Sequence, residues 1–380
     1  MSQRLQGLLD EAAAEGMFAC ARAVVRWRSR IVFTGGVGGP TVFDLASLTK
    51  PLATTAVFLS LWAEGKLEPD TALGRAFPES PLGRAGVTVA DLLAHRSGLP
   101  AFVPFFARVL AAEPRLLDAD CPPAARIGAR RAVVEQALAT TPVGPRRTRA
   151  LYSDVGFIVL GELMGVAAGV SLDTLFAERV AAPLGLTAGF RRLSFPHSPA
   201  GPEVAPTGTR RPREPAPGQE GLWADVPDSL ARPGEVDDDN AWAMDGVAGH
   251  SGLFGTADDV ARFGQAVLDD LVGAGRIAPA ALWEVALRRD MATPGSTRAF
   301  GFDTRLPGDA DGSSAGRVLG TASPGAVGHL GFTGTSLWID RARELVVALC
   351  TNRTALGRGE TRIREFRPRF HDAVADAFRP

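Results

Sequence analysis

Lysine and tyrosine are almost missing from this sequence. Among 380 residues only Lys50 and Lys66 are lysine, Tyr152 is the sole tyrosine, and every other basic side chain apart from histidine is arginine. Cysteine is scarce too. Cys20, Cys121 and Cys350 are odd in number and far apart, which excludes a zinc-type spacing and gives no disulfide framework. With 41 basic against 42 acidic residues the net charge is −1. The chain therefore lacks the basic excess of a protein whose main partner is nucleic acid or an anionic membrane. No uncharged run reaches transmembrane length, and the opening M-S-Q-R-L-Q-G-L-L-D-E has no apolar signal core. These features lead to the expectation of a reducing, cytoplasmic setting. The composition, 46% hydrophobic and 22% charged, is that of a globular protein, with length for one large domain or two.

The scarcity of lysine gives weight to Lys50. It stands in F-D-L-A-S-L-T-K-P, Phe43–Pro51, three residues after Ser47 and just before an apolar run, Leu52, Ala53, Ala56, Val57, Leu59, Leu61 and Trp62. That run reads as a buried helix, with Pro51 suited to its first turn. Residues three apart share a helix face, so the Lys50 amine is expected beside the Ser47 hydroxyl. A serine hydroxyl is a weak nucleophile that needs a neighbouring base, and an amine can lose its proton where a guanidinium cannot. The positive end of the helix should push Lys50 toward its neutral form. The plainer reading is that Ser47 only caps the helix.

Other segments supply an architecture. Gln3–Gly16 reads as a surface helix. Ala21–Val25 and Ile31–Phe33 read as strands of a hairpin joined by W-R-S-R, with a break at Gly35–Pro40. Residues 100–150 alternate helical runs with Pro and Arg, and Ala150–Gly169 reads as a turn followed by a buried helix. Leu193–Val236 is a Pro/Gly/Arg-rich excursion. Asp237–Gly255 reads as a turn-rich strand, followed by a helix that Thr256 and Asp259 cap. Val327–Ile339 and Glu344–Thr351 read as strands, and Phe366–Phe378 as a terminal helix. Strands lie at both ends and helices in the middle. The expected fold class is α/β (α+β): an antiparallel sheet from residues 1–70 and 237–380, flanked by helices, with a mainly helical region at 71–236.

Two more segments carry candidate chemistry. Tyr152, in Y-S-D before the buried helix, could relay a proton if a neighbouring ammonium favours its phenolate; otherwise it packs beside a cap formed by Ser153 or Asp154. G-H-L-G-F-T-G-T-S, Gly328–Ser336, places His329 among glycines that let a substrate backbone come close. His95, in L-L-A-H-R-S-G-L-P, reads as a structural loop histidine.

Taken in order, S-L-T-K (Ser47–Lys50), Y-S-D (Tyr152–Asp154) and H-L-G (His329–Gly331) resemble the S-x-x-K, Y-x-N and K-T-G or H-T-G motifs of the serine β-lactamase and penicillin-binding protein superfamily, class C-like branch. The likeness covers nearly the whole chain except about 100–150 and 190–236. It implies an α/β sandwich with an all-helical region and a site between them. It further implies that Ser47 forms an acyl-enzyme, that Lys50 and Tyr152 handle the proton, and that the backbone N–H groups of Ser47 and Phe332 form the oxyanion hole. His329 would replace the family lysine as a cationic or hydrogen-bonding wall. Asp154, Leu330, Gly331, Asn352 and Arg353 are the candidate substrate-binding residues, with no cofactor and no metal.

Two departures matter. Asp154 stands where asparagine is commoner and should favour a charged Lys50, which leaves Tyr152 as the better base. Leu330 replaces a threonine that helps bind a substrate carboxylate, so neutral esters are expected over carboxylate-bearing substrates; Asn352 or Arg353 of T-N-R could supply a substitute partner. The expected function is a serine hydrolase acting on a small ester or amide through an acyl-enzyme; a β-lactam is the further substrate class considered. The alternatives are a β-lactamase or D-alanyl-D-alanine carboxypeptidase, or a non-catalytic penicillin-binding sensor or scaffold. A fluorophosphonate or β-lactam probe should label Ser47 alone, as read by intact-mass and peptide mass spectrometry. Labelling that survives Ser47→Ala would remove Ser47 from the assignment.

Overall fold

The computed structural model describes residues 1–194, 203–208, 229–305 and 325–378, so most of the 193–236 excursion lies outside the described residues. Nine strands occur among these: β1 (Ala21–Trp27), β2 (Arg30–Val37), β3 (Val42–Asp44), β4 (Gly189–Phe190), β5 (Leu253–Thr256), β6 (Asp303–Thr304), β7 (Val327–Leu330), β8 (Ser336–Asp340) and β9 (Leu345–Thr351). Arg28 and Ser29 both have positive φ, 47° and 62°, the backbone of a two-residue hairpin turn, and Trp27 pairs with Arg30 across it. β2 continues through Gly35 and Gly36, beyond the expected break, because glycine weakens a strand without ending it once a partner is present.

β9 pairs antiparallel with β1, from Ala21↔Thr351 to Trp27↔Leu345. Both ends of the chain therefore meet in the middle of one sheet, ordered β2-β1-β9-β8-β7-β6. Alternate residues of β9 face opposite sides. Leu345, Val347 and Leu349 join Ala21, Ala23 and Val25 under the helices Ser2–Ala14 and Ile363–Ala377. Val346, Ala348 and Cys350 face the larger core. There the helix Ala257–Leu271 covers the sheet, started by a capping box between Thr256 and Asp259. The fold is thus an antiparallel sheet with helices on both faces, joined to a helical region that includes Phe105–Ala112, Pro123–Leu138 and Asp154–Ala168. A second small sheet, β3-β5-β4, draws Gly189 and Phe190 from inside the 71–236 segment.

Three local expectations are corrected. Asp237–Gly255 is no continuous strand: Asp238 caps a short helix, Asp239–Ala243, and only the end of the segment, Leu253–Thr256, is extended. Val327–Ile339 is two strands, because Gly334 takes φ 96° and reverses the chain between β7 and β8. The helix after Ser47 is irregular. It begins as a 3₁₀ turn, Ala46–Leu48, widens to a π-helical stretch, Lys50–Thr55, and becomes α-helical at Ala56–Ala63. Pro51 supplies no N–H to a regular ladder, and π-helical stretches are frequent at functional sites.

One buried carboxylate orders the approach to Tyr152. Asp91 caps the helix Val89–Leu93 together with Thr88. It also accepts from Arg96 Nε at 3.2 Å, Arg147 Nε at 2.7 Å and Arg146 Nη1 at 3.3 Å. The Arg147 N–H then bonds Arg96 O, and the Leu151 N–H bonds His95 O, both at 2.8 Å. Burial alone would raise the Asp91 acid, but hydrogen bonds from Arg147 and Thr88 and the nearby guanidinium charges hold it below the ordinary carboxylate range. A depressed acid stabilises the fold above its unfolded pKa and loses that contribution as pH falls through the folded value. Asp91→Ala should cost roughly 3 kcal/mol, less than a fully buried pair because its arginines are partly hydrated. Chemical denaturation at pH 7 checks this, and the deficit should shrink as acid protonates Asp91 in the wild type.

Candidate active site

Ser47 follows a strained residue. Ala46 has φ 48°, a left-handed conformation that a side chain adopts only when its surroundings hold it. Here Asp44 Oδ1 accepts from the Ala46 N–H at 2.8 Å. From the β7–β8 turn, Thr333 Oγ1 donates to Asp44 O at 2.7 Å and Thr335 Oγ1 to Leu45 O at 3.1 Å. Gly331 is required beside this contact, since a Cβ there would lie 1.9 Å from Thr335 Oγ1 and 2.8 Å from Leu45 O. The segment before Ser47 and the turn carrying Phe332 are therefore fastened together.

The Lys50 ammonium is fully buried. Its Nζ donates to Ser47 Oγ and to His250 O, each at 2.9 Å, and lies 2.7 Å from Asp154 Oδ1. Tyr152 reaches the same Ser47 Oγ from the other side, O–H to Oγ 2.9 Å. Burial favours a neutral Lys50, but Asp154 and Tyr152 outweigh it and hold the amine above its ordinary pKa. Of the two opposed effects expected on Lys50, the carboxylate 2.7 Å away acts more strongly than the helix terminus. For Tyr152 the balance runs the other way. Enclosure raises the phenol above its ordinary value, and the Lys50 ammonium offsets this only in part, so the resting side chain is the neutral phenol and not the phenolate.

These residues open onto a cleft of about 550 Å³ lined also by His329, Leu330, Gly331 and Phe332. His329 is buried, with its Nδ1 donating to Leu330 O at 2.8 Å and its ring 5.8 Å from that of Tyr152. Burial, reinforced by Lys50 and Arg298, drives its pKa well below the usual histidine range. His329 is therefore neutral at pH 7 and no cationic wall. His95 packs its ring 4.6 Å from Tyr152 and accepts the Ser153 N–H through Nδ1 at 3.0 Å, which seats Tyr152 from behind. Asp154 lines the cleft but engages Lys50. Asn352 is corrected as a substrate contact: it accepts from the Cys20 N–H at 2.8 Å and donates to Pro206 O at 3.3 Å, tying the end of β9 to the start of β1. Arg353 lines the cleft, yet its Nε and Nη1 donate to the backbone carbonyls of Phe332, Arg358 and Glu360.

Arg298 and Phe102 are among the cleft residues that sequence reasoning missed. Arg298 places its guanidinium 5.1 Å from the Tyr152 ring centroid and 3.4 Å from Asp303 Oδ2; its S-T-R-A-F-G setting has no motif. Phe102 and Phe332, 47% and 51% exposed, are the only exposed aromatic side chains among the described residues, and both line this cleft. Their exposure is a property of the fold. No three metal-ligating side chains converge among the described residues. The array can share one proton among Ser47, Tyr152 and Lys50, and at rest both neighbours of Ser47 hold theirs. The form lacking one proton should be reached more easily when Asp154 no longer stabilises the ammonium. Asp154→Asn is therefore expected to move the acid limb of the kcat/KM profile toward lower pH by about one unit or more, measured by initial rates from pH 5 to 10.

The family model for beta-lactamase matches residues 2–367. A putative D-alanyl-D-alanine carboxypeptidase of Escherichia coli (strain K12) is 29% identical over 334 residues, 82% of this chain and 69% of that protein. Among solved structures, a penicillin-binding protein homologue from Caulobacter crescentus superposes with a TM-score of 0.66 at 19% identity, covering 98% of this chain and 97% of its own. EstCE1, a hydrolase with promiscuous acyltransferase activity, superposes with 0.64 at 22% identity, covering 96% and 98%. The match over nearly the whole length means that the chain belongs to the beta-lactamase family and is a serine hydrolase of that class.

Proposed function

We propose that this protein hydrolyses small, uncharged esters with an apolar acyl group. The observation that carries this reading is the Ser47 hydroxyl held at 2.9 Å by both Lys50 Nζ and Tyr152 O–H at the floor of a cleft. Ser47 Oγ attacks the ester carbonyl while its proton passes to the Tyr152–Lys50 pair in the form lacking one proton. The backbone N–H groups of Ser47 and Phe332 receive the developing oxyanion. The carbon–oxygen bond to the alcohol then breaks, the alcohol leaves with that proton, and water releases the acid from the acyl-enzyme.

The preference for neutral substrates rests on the cleft. His329 is neutral, Leu330 offers no hydroxyl, and the Arg353 donors are spent on backbone carbonyls. Phe102 and Phe332 offer the apolar surface that suits an acyl chain. One observation supports a second reading, a carboxylate-bearing substrate such as a D-alanyl peptide or a β-lactam: Arg298 is a partly exposed cation on the same wall. A short neutral p-nitrophenyl ester should show the higher kcat/KM against nitrocefin, with sustained turnover, and Leu330→Thr should narrow the gap. Wild-type preference for nitrocefin would favour the second reading, and stoichiometric labelling without turnover would favour a sensor.

A further inference from the structure

Burying a guanidinium without an acid beside it is costly, and this protein does so twice behind one turn. Arg353 and Arg367 are 5% and 7% exposed. Neither has a carboxylate oxygen within 4.0 Å among the described residues. Each directs a donor at a backbone carbonyl of the β7–β8 turn. Arg353 Nε donates to Phe332 O at 2.7 Å. Arg367 Nη1, from the last helix, donates to Gly331 O at 3.0 Å and Thr335 O at 3.1 Å. Burial draws the Arg367 pKa down to about 9, which leaves it charged at neutral pH, and lowers that of Arg353.

The Gly331 carbonyl and the Phe332 N–H are the two ends of one peptide group. A cation that donates to the carbonyl draws electron density from it and makes the N–H at the other end a stronger donor. That N–H makes no hydrogen bond to any described residue. The Arg353 guanidinium also lies 4.5 Å from the Phe332 ring centroid, which holds the residue from its side-chain end. We propose that Arg353 and Arg367 are positioning residues: Arg367, through Gly331 O, polarises the Gly331–Phe332 peptide, and Arg353, through Phe332 O and the Phe332 ring, fixes its orientation, so that its N–H stabilises the oxyanion. This rests on the oxyanion hole proposed above. It also gives the two buried charges a role: they set a fixed positive field behind the point where negative charge develops, in a site that needs no rearrangement during the reaction.

The test compares an ester with its thionoester, because backbone N–H donors favour a developing oxyanion over sulfur. Wild type should prefer the ester by about 100-fold or more. Arg353→Met and Arg367→Met should each lower ester kcat about ten-fold with KM within about two-fold. Thionoester turnover should change much less, so the ratio between the two falls. Arg367→Lys, which keeps a cation, should recover part of the ratio. A turn merely fastened by these arginines would instead show a lower melting temperature with both substrates losing alike, and that result overturns the proposal. Should Arg367→Met fail to fold, Arg367→Gln, which keeps a donor for Gly331 O without the charge, decides by the same ratio. A wild type that does not discriminate sinks the oxyanion-hole reading itself. A wild type that discriminates, with methionine variants that keep its ratio, sinks only the role of the arginines.

Discussion

The buried Lys50 ammonium is the constraint on which the site depends. A charge fully removed from water is tolerable only where acceptors replace its hydration. Here the acceptors come from three parts of the chain: Ser47 in its own turn, Asp154 at the start of a helix in the helical region, and His250 O in the loop before β5. The sheet region and the helical region must therefore close on each other for Lys50 to be satisfied. The same closure brings Tyr152 to Ser47. Assembly of the fold and assembly of the array are one event.

The second constraint is the turn between β7 and β8. Its carbonyls are bonded: Gly331 O by Arg367, Phe332 O by Arg353, Thr333 O by Thr351 Oγ1 and Thr335 O by Arg367. Its threonine hydroxyls hold the segment before Ser47. A rigid turn costs backbone entropy, and these bonds offset it. The result is a peptide group that faces the cleft in one orientation, alongside a residue, Ala46, whose strained backbone is held by the same contacts.

The cleft is mixed in charge, and the position of each charge matters more than the sum. Asp154 is consumed by Lys50, and Arg358 by Asp237 and Asp239. His329 is kept neutral by burial and by two nearby cations. Two exposed phenylalanines, Phe102 and Phe332, stand beside these engaged charges.

Much of the local structure was legible because its causes are local. The Ser47–Lys50 contact follows from helical spacing. The Thr256–Asp259 cap and the Arg28–Ser29 hairpin turn each depend on a few consecutive residues. β9 could be read from an unbroken apolar run, and the meeting of both termini in one sheet from where the strands lie along the chain. What the sequence by itself determined is thus most of the main helices and sheet strands and the three motifs. Tertiary structure decided the rest, for reasons no window of residues contains. Asp154 is named from sequence as favouring a charged Lys50, but only the fold sets the 2.7 Å at which that carboxylate, 104 positions away, outweighs the helix terminus. Asn352 and Arg353 were judged by proximity to the last strand, yet their partners lie at the far end of the sequence and in a turn folded back on them. Arg367 stands in an ordinary amphipathic helix. Only packing shows that its guanidinium is buried, has no acid beside it among the described residues and donates to Gly331 O.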